Sequence, residues 1–153
     1  MSNSDQIGTL YDKAEKLIGV RYSVFDAELD GQDWIEAIEM RFENTVATIY
    51  VESDFDTLRL ELSEMKVDSD CYIKDATSVK PWDGVLGKHL SWIWLLRNQQ
   101  GYEDGIRFEF SSKEGETPTI ITLIGIASSI QMYLSQELTQ YNMSQTTIFE
   151  KEN

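Results

Sequence analysis

The sequence predicts an α+β domain, mainly antiparallel β: one curled sheet of about six to eight strands with an N-terminal helix packed on it, a β-sandwich or open barrel being the alternative. Three observations predict it. Apolar residues near the start recur at helical spacing, and from Val20 onward the period changes to two. Two apolar runs within Gly87 to Phe110 flank a loop of Asn98, Gln99, Gln100, Gly101, Tyr102, Glu103, Asp104 and Gly105, residue types that bend a backbone between strands. No repeat, low-complexity tract or linker divides the chain, so residues 1–153 read as one domain, loosely ordered from about 142 to 153.

The helix comes first. Ser4 is placed to cap it, Asp5 favours its first turn, and Ile7, Leu10, Tyr11, Ala14, Leu17 and Ile18 share one face before Gly19 stops it. Val20, Tyr22 and Val24 then point one way while Arg21, Ser23 and Phe25 point the other, as a half-buried strand requires. Asp30-Gly31 supplies a turn, after which Trp34, Glu36, Ile38, Met40 and Phe42 alternate with Ile35, Ala37, Glu39 and Arg41. Val46 to Glu52 is rich in β-branched and aromatic residues, and Leu58, Leu60 and Leu62 alternate with Thr57, Arg59 and Glu61. Ser63 to Leu86 reads as a long polar connection holding a short strand at Cys71 to Ile73 and a turn at Pro81-Trp82-Asp83-Gly84. His89 to Leu96, Ile106 to Phe110 and Thr119 to Ile126 follow as strands, and Ser128 to Leu138 as a strand or a helix.

Charge bounds the partners. The chain of 153 residues carries 27 Asp and Glu against 13 Lys and Arg, and Asp26 to Asp70 alone holds 14 acids and three bases, a net of −11 out of −14. Such a surface repels nucleic acid and anionic membranes, whereas a basic protein partner suits it. The start of the chain has neither a basic n-region nor an apolar run, and the single cysteine, Cys71, forms no internal disulfide, so a cytoplasmic location is expected.

No motif for catalysis, a metal or a cofactor is complete. Asp26-Ala27-Glu28-Leu29-Asp30-Gly31 begins like a calcium loop, but position twelve is Ala37 and position eight is Asp33, so an acidic hairpin turn is the better reading. His89 is the only histidine, which leaves a Cys71 and His89 pair without an orienting third group. Glycines 84, 87, 101 and 105 lie at turns flanking strands, not between a strand and a helix, so no phosphate loop is present. Glu36 shares the apolar strand face of Trp34, Ile38 and Met40; a place near the edge of that face, a partner such as Arg21 or Arg107, or a register bulge near Gln32 would resolve it. If Glu36 or the loop carboxylates act chemically, with or without a divalent cation, the alternative is a hydrolase or lyase.

Binding candidates are the aromatic and polar loop residues. Trp92 and Trp94 share a strand face with Leu90 and Leu96 and are expected to pack inside, while Trp82 in its turn is expected to be an exposed anchor beside Asp83. On that expectation Trp92→Ala costs roughly 3 to 5 kcal/mol of stability and Trp82→Ala little. Asn98, Tyr102 and Asp104 form the adjoining polar rim; Asp54, Asp56, Asp68 and Asp70 are loop acids open to a cation with no spacing that singles them out, and Asp54 and Asp56 are also binding candidates.

Gly87-Lys88, the Trp92 and Trp94 pair, Asn98 to Gly101 followed by Tyr102 and Asp104, Ile106 to Phe110, and Ala127-Ser128-Ser129-Ile130 together resemble an uncharacterised bacterial family of small acidic domains. The resemblance implies no activity. In composition the chain is also similar to bacterial immunity proteins, which neutralise often basic toxins. The expected role is therefore protein interaction rather than catalysis, with a homodimer through an exposed strand edge such as Val46 to Glu52 as a further alternative.

Overall fold

The computed structural model describes residues 2–25, 33–52, 56–112 and 117–135. The acidic turn from Asp26 to Gly31, Asp54, and the chain beyond Ser135 lie outside them. One helix, α1 (Asn3–Lys13), precedes nine strands: β1 (Leu17–Phe25), β2 (Ile35–Phe42), β3 (Val46–Glu52), β4 (Thr57–Glu61), β5 (Cys71–Asp75), β6 (His89–Leu96), β7 (Gly105–Ser111), β8 (Thr119–Ile126) and β9 (Ser129–Leu134). They form two antiparallel sheets, ordered β4-β3-β2-β1-β5 and β6-β7-β8-β9, where a single curled sheet is the first expectation; the sheets do not close into a barrel. Both contribute to one core, with Val20, Ile38, Ile49 and Leu60 from the first sheet meeting Ile106, Phe108, Ile121 and Leu123 from the second.

The helix is shorter than its apolar spacing predicts. Ser2, not Ser4, is the N-cap: its hydroxyl accepts from the Asp5 amide at 3.2 Å while the Asp5 carboxylate accepts from the Ser2 amide at 3.3 Å, a reciprocal capping box. Ala14 is already extended, and Leu17 leaves the helical face because its backbone pairs with the start of the second sheet, Leu17 N–H donating to Lys88 O at 3.0 Å and Gly87 N–H to Leu17 O at 2.9 Å. Tertiary pairing outweighs a weak periodic signal here. The helix touches β4 and β6, one edge strand of each sheet, so it bridges the sheets rather than lying across one face.

Two bulges decide which residues face inward. Ser23 pairs with Ala37 and Val24 with Ile35, so Glu36 is an extra residue that turns out of the core while Ile35 enters it. In β6, Leu90 pairs with Phe110 and Trp92 with Glu109, which leaves Ser91 extra and sends Trp92 and Trp94 to the face opposite Leu90.

The strand order requires one long crossing. Consecutive strands β4 and β5 lie on opposite edges of their sheet, so residues 62–70 pass back over its outer face. Thr48 Oγ1 donates to Ser63 O at 2.7 Å, Arg41 Nη2 pairs with Glu64 at 3.1 Å, and Met65 N–H donates to Glu39 Oε2 at 2.9 Å, which traces this strap across β3 and β2. β3 therefore lies between β2 and β4, and Val46–Glu52 is not the exposed edge that the homodimer alternative needs. β4 is an edge, and it is blocked by the side chain of Asn3, which donates to Leu58 O at 2.7 Å and accepts from Leu60 N–H at 2.9 Å. No helix among the described residues is long and apolar enough to cross a membrane.

Candidate functional site

Four of the sequence-predicted residues meet in one place. The loops before β4, between β6 and β7, and between β8 and β9 converge at one end of the molecule, and Asp56, Asn98, Gln100, Tyr102, Asp104, Gly125 and Ile126 line an open pocket there. Asn98 organises its own loop: its Oδ1 accepts from Gln100 N–H at 2.9 Å and Tyr102 N–H at 3.2 Å, while its Nδ2 reaches Asp104 Oδ2 at 3.4 Å. Asp56 ties the hairpin loops together, its carboxylate accepting from Ala127 N–H at 3.2 Å and Ser128 N–H at 2.6 Å.

The backbone here is held in sparsely populated conformations. Asp56, Ala127 and Ser128 have φ of 52, 51 and 64°, in the left-handed region that favours glycine, and all three lie at this convergence. Gly125 N–H donates to Asp104 O at 2.8 Å, and a Cβ on Gly125 would collide with the Asp56 carbonyl, so the approach of these loops depends on that glycine. Tyr102 is 40% exposed and Ile126 45%, which gives the pocket an aromatic and an aliphatic wall beside two carboxylates.

Trp82 is not part of this surface. Its ring is fully buried and its Nε1 donates to Tyr22 Oη at 2.6 Å, which in turn reaches Met132 Sδ at 3.2 Å, so the indole joins the turn after β5 to both sheets. The expected exposed anchor is a core residue, because the turn that carries it folds back onto β1; Asp83 beside it is exposed and does not line the pocket. Burial pushes the Tyr22 phenol up to about 12, against the opposing effect of the Trp82 hydrogen bond. Trp92 and Trp94, expected inside, are 47% and 36% exposed.

A second concavity was not legible in the sequence. The strap and the outer face of the five-stranded sheet enclose a cleft lined by Ser23, Glu36, Thr48, Tyr50, Glu61, Glu64, Lys66 and Asp68, among others. Glu36 accepts from the Cys71 thiol at 3.1 Å rather than pairing with Arg21 or Arg107. Burial raises the Cys71 pKa, aided by Glu36, so this sulfur stays a protonated thiol at neutral pH and is a poor nucleophile. Cys71 and His89 stand on β5 and β6, in different sheets, and among the described residues no hydrogen bond joins them. At the inner end of the strap Glu39 is fully buried, with Arg21 Nε and Arg41 Nε each 2.9 Å from Oε1. Burial pushes its carboxyl up, but the bonds from Arg21 and Met65 N–H and the two guanidinium charges outweigh this and hold it below the ordinary range. Among the described residues no three His, Cys, Asp or Glu side chains are grouped to hold a metal.

A family model described as a family of unknown function, DUF6334, matches residues 4–139, and the chain belongs to that family. No curated protein and no solved structure matches it.

Proposed function

We propose that this member of a family without an assigned activity is a binding module, and that its loop-end pocket receives a basic side chain of a protein partner. The observation that carries the reading is the convergence of three loops on a pocket with Asp56 and Asp104 at its rim, the exposed ring of Tyr102 as one wall and Ile126 as another. A lysine or arginine entering it gains the carboxylate field and the face of an aromatic ring, while its aliphatic stem covers Ile126. Asp104 is held by a single long bond from Asn98, so among the described residues its carboxylate has capacity for an incoming donor. The surrounding charge, −14 over the chain, speeds encounter with a basic partner more than it tightens the complex. An immunity-type role, with a basic toxin as the partner, is one case of this reading.

The test is affinity capture from the native host with wild type, Tyr102→Ala and Asp104→Lys in parallel. A basic protein recovered in stoichiometric amount by wild type, and lost by both variants while their circular dichroism is unchanged, is the expected result. A partner retained equally by Asp104→Lys would place the interface elsewhere and remove the pocket from the account.

A further inference from the structure

We propose that the outer face of the four-stranded sheet is a self-association surface, packing against the same face of a second copy of this chain about a two-fold axis. The face is unusual for so acidic a protein. Strands β6 to β9 contain two charged residues, Arg107 and Glu109, and both point outward from β7. Around them the pairing sets one cross-strand row of Trp94, Arg107, Thr122 and Tyr133 and a second of Trp92, Glu109 and Ile120. Trp92 and Trp94 stand edge to face at 6.5 Å, Tyr11 of the helix extends the aromatic row from Trp92 at 5.4 Å, and Tyr133 closes the far side at 50% exposure.

Two arguments select a second copy as the occupant. The first is charge. Two chains of net charge −14 repel over most of their surfaces, and this face, with one cation and one anion, is the place where they meet at least cost. Arg107 Nε bonds Thr122 Oγ1 at 3.1 Å and Glu109 Oε2 accepts from Ser91 Oγ at 2.9 Å, but neither forms an ion pair among the described residues. Standing two apart on one strand they are self-complementary under a two-fold axis, Arg107 of each copy meeting Glu109 of the other, as an isologous interface requires. The second argument is size. Four strands at standard spacing and rise present roughly 450 Å² in projection, against the about 800 Å² that each partner buries in a specific complex, and the exposed ring of Tyr11 carries the face past the edge of the sheet onto the helix.

The experiment is sedimentation of the full chain across micromolar to submillimolar concentration, with Trp94→Glu, Arg107→Glu and the double swap Arg107→Glu with Glu109→Arg. Wild type is expected to show a concentration-dependent dimer; Trp94→Glu and Arg107→Glu raise its dissociation constant by about tenfold or more. The double swap restores association to within a few-fold of wild type, which a merely misfolded variant would not do. Asp104→Lys leaves the dimer unchanged, so this outcome stands or falls apart from the loop-end pocket. A wild type that stays monomeric throughout, a dimer indifferent to both single substitutions, or a face that captures only a different protein would each overturn the proposal.

Discussion

The two sheets share a core and differ in what they show to the outside. Strands β1 to β5 carry Arg21, Glu36, Glu39, Arg41, Glu52, Arg59, Glu61, Lys74 and Asp75, whereas β6 to β9 carry Arg107 and Glu109 alone. The charged sheet is also the roofed one: the strap of residues 62–70 crosses it and is fastened by Glu39, Arg41 and Thr48. The aromatic sheet has no such cover among the described residues. The contrast teaches that polarity on a sheet's outer face need not mean contact with water. In the first sheet the polar groups hold a second layer of the protein itself, and in the second the apolar groups are the ones left outside.

The largest effect that tests this contrast is a pair of tryptophan truncations. Trp82→Ala removes a fully buried ring that joins both sheets and should lower unfolding stability by roughly 3 to 5 kcal/mol, read from urea midpoints. Trp92→Ala, on the open face, should cost under about 1 kcal/mol in the monomer. This is the reverse of what sequence spacing predicts, and equal losses at both positions would contradict the assignment of inside and outside.

That reversal locates what a linear reading could and could not supply. Alternation identified the strands and, for Val20, Tyr22, Val24, Leu58 and Leu60, the correct inward face. It failed at Ser91, and at Glu36 the bulge allowed near Gln32 falls further along the strand, because the position of a bulge is fixed by the partner strand and not by its own sequence. Trp82 was misread for a related reason: a turn's exposure depends on where it folds back, and the contact with Tyr22 spans sixty positions. Within the loop-end pocket, Asn98, Tyr102 and Asp104 were legible because turn chemistry is local, and Asp56 joins them through a contact with the β8–β9 turn that only the assembled sheets create. The strapped cleft was invisible, since it follows from strand order alone.

The fastening of the strap gives the next effect. Glu39→Gln leaves two guanidinium groups facing an uncharged amide at a buried position, and should cost roughly 2 to 3 kcal/mol. Glu39 has its pKa lowered on folding, so its contribution is present above the ordinary glutamate value of about 4.3 and is lost as pH falls through the lower folded value. The stability gap between wild type and Glu39→Gln should therefore close in acid; a gap constant down to the folded value would mean that the carboxylate charge is not what holds the strap.

A smaller effect is expected at the seam between the sheets. The Tyr22 phenol is raised to about 12, so its contribution is complete below the unfolded value of about 10 and is lost as pH rises from there through 12. Tyr22→Phe should remove that alkaline decline and cost about 1 to 2 kcal/mol at neutral pH, because Trp82 Nε1 loses its acceptor inside the core. Alkaline unfolding curves that coincide for the two proteins would show that Tyr22 ionises as freely as an exposed phenol.

The smallest effect concerns Gly8, in the middle of α1. It lines an apolar slot with Ile7, Tyr11, Trp92 and Ile93, beside the open aromatic face. A Cβ placed on it meets nothing within 4 Å, so neither packing nor backbone conformation requires a glycine there. In a helix interior that residue costs about 1 kcal/mol relative to alanine. Gly8→Ala should accordingly stabilise the monomer by about 0.5 to 1 kcal/mol, measured as a raised urea midpoint with an unchanged m-value. If the same substitution also weakens self-association, the slot is part of the surface that Trp92 and Trp94 present, and the open face extends past the edge of the sheet onto the helix. If association is untouched, the face ends at β6.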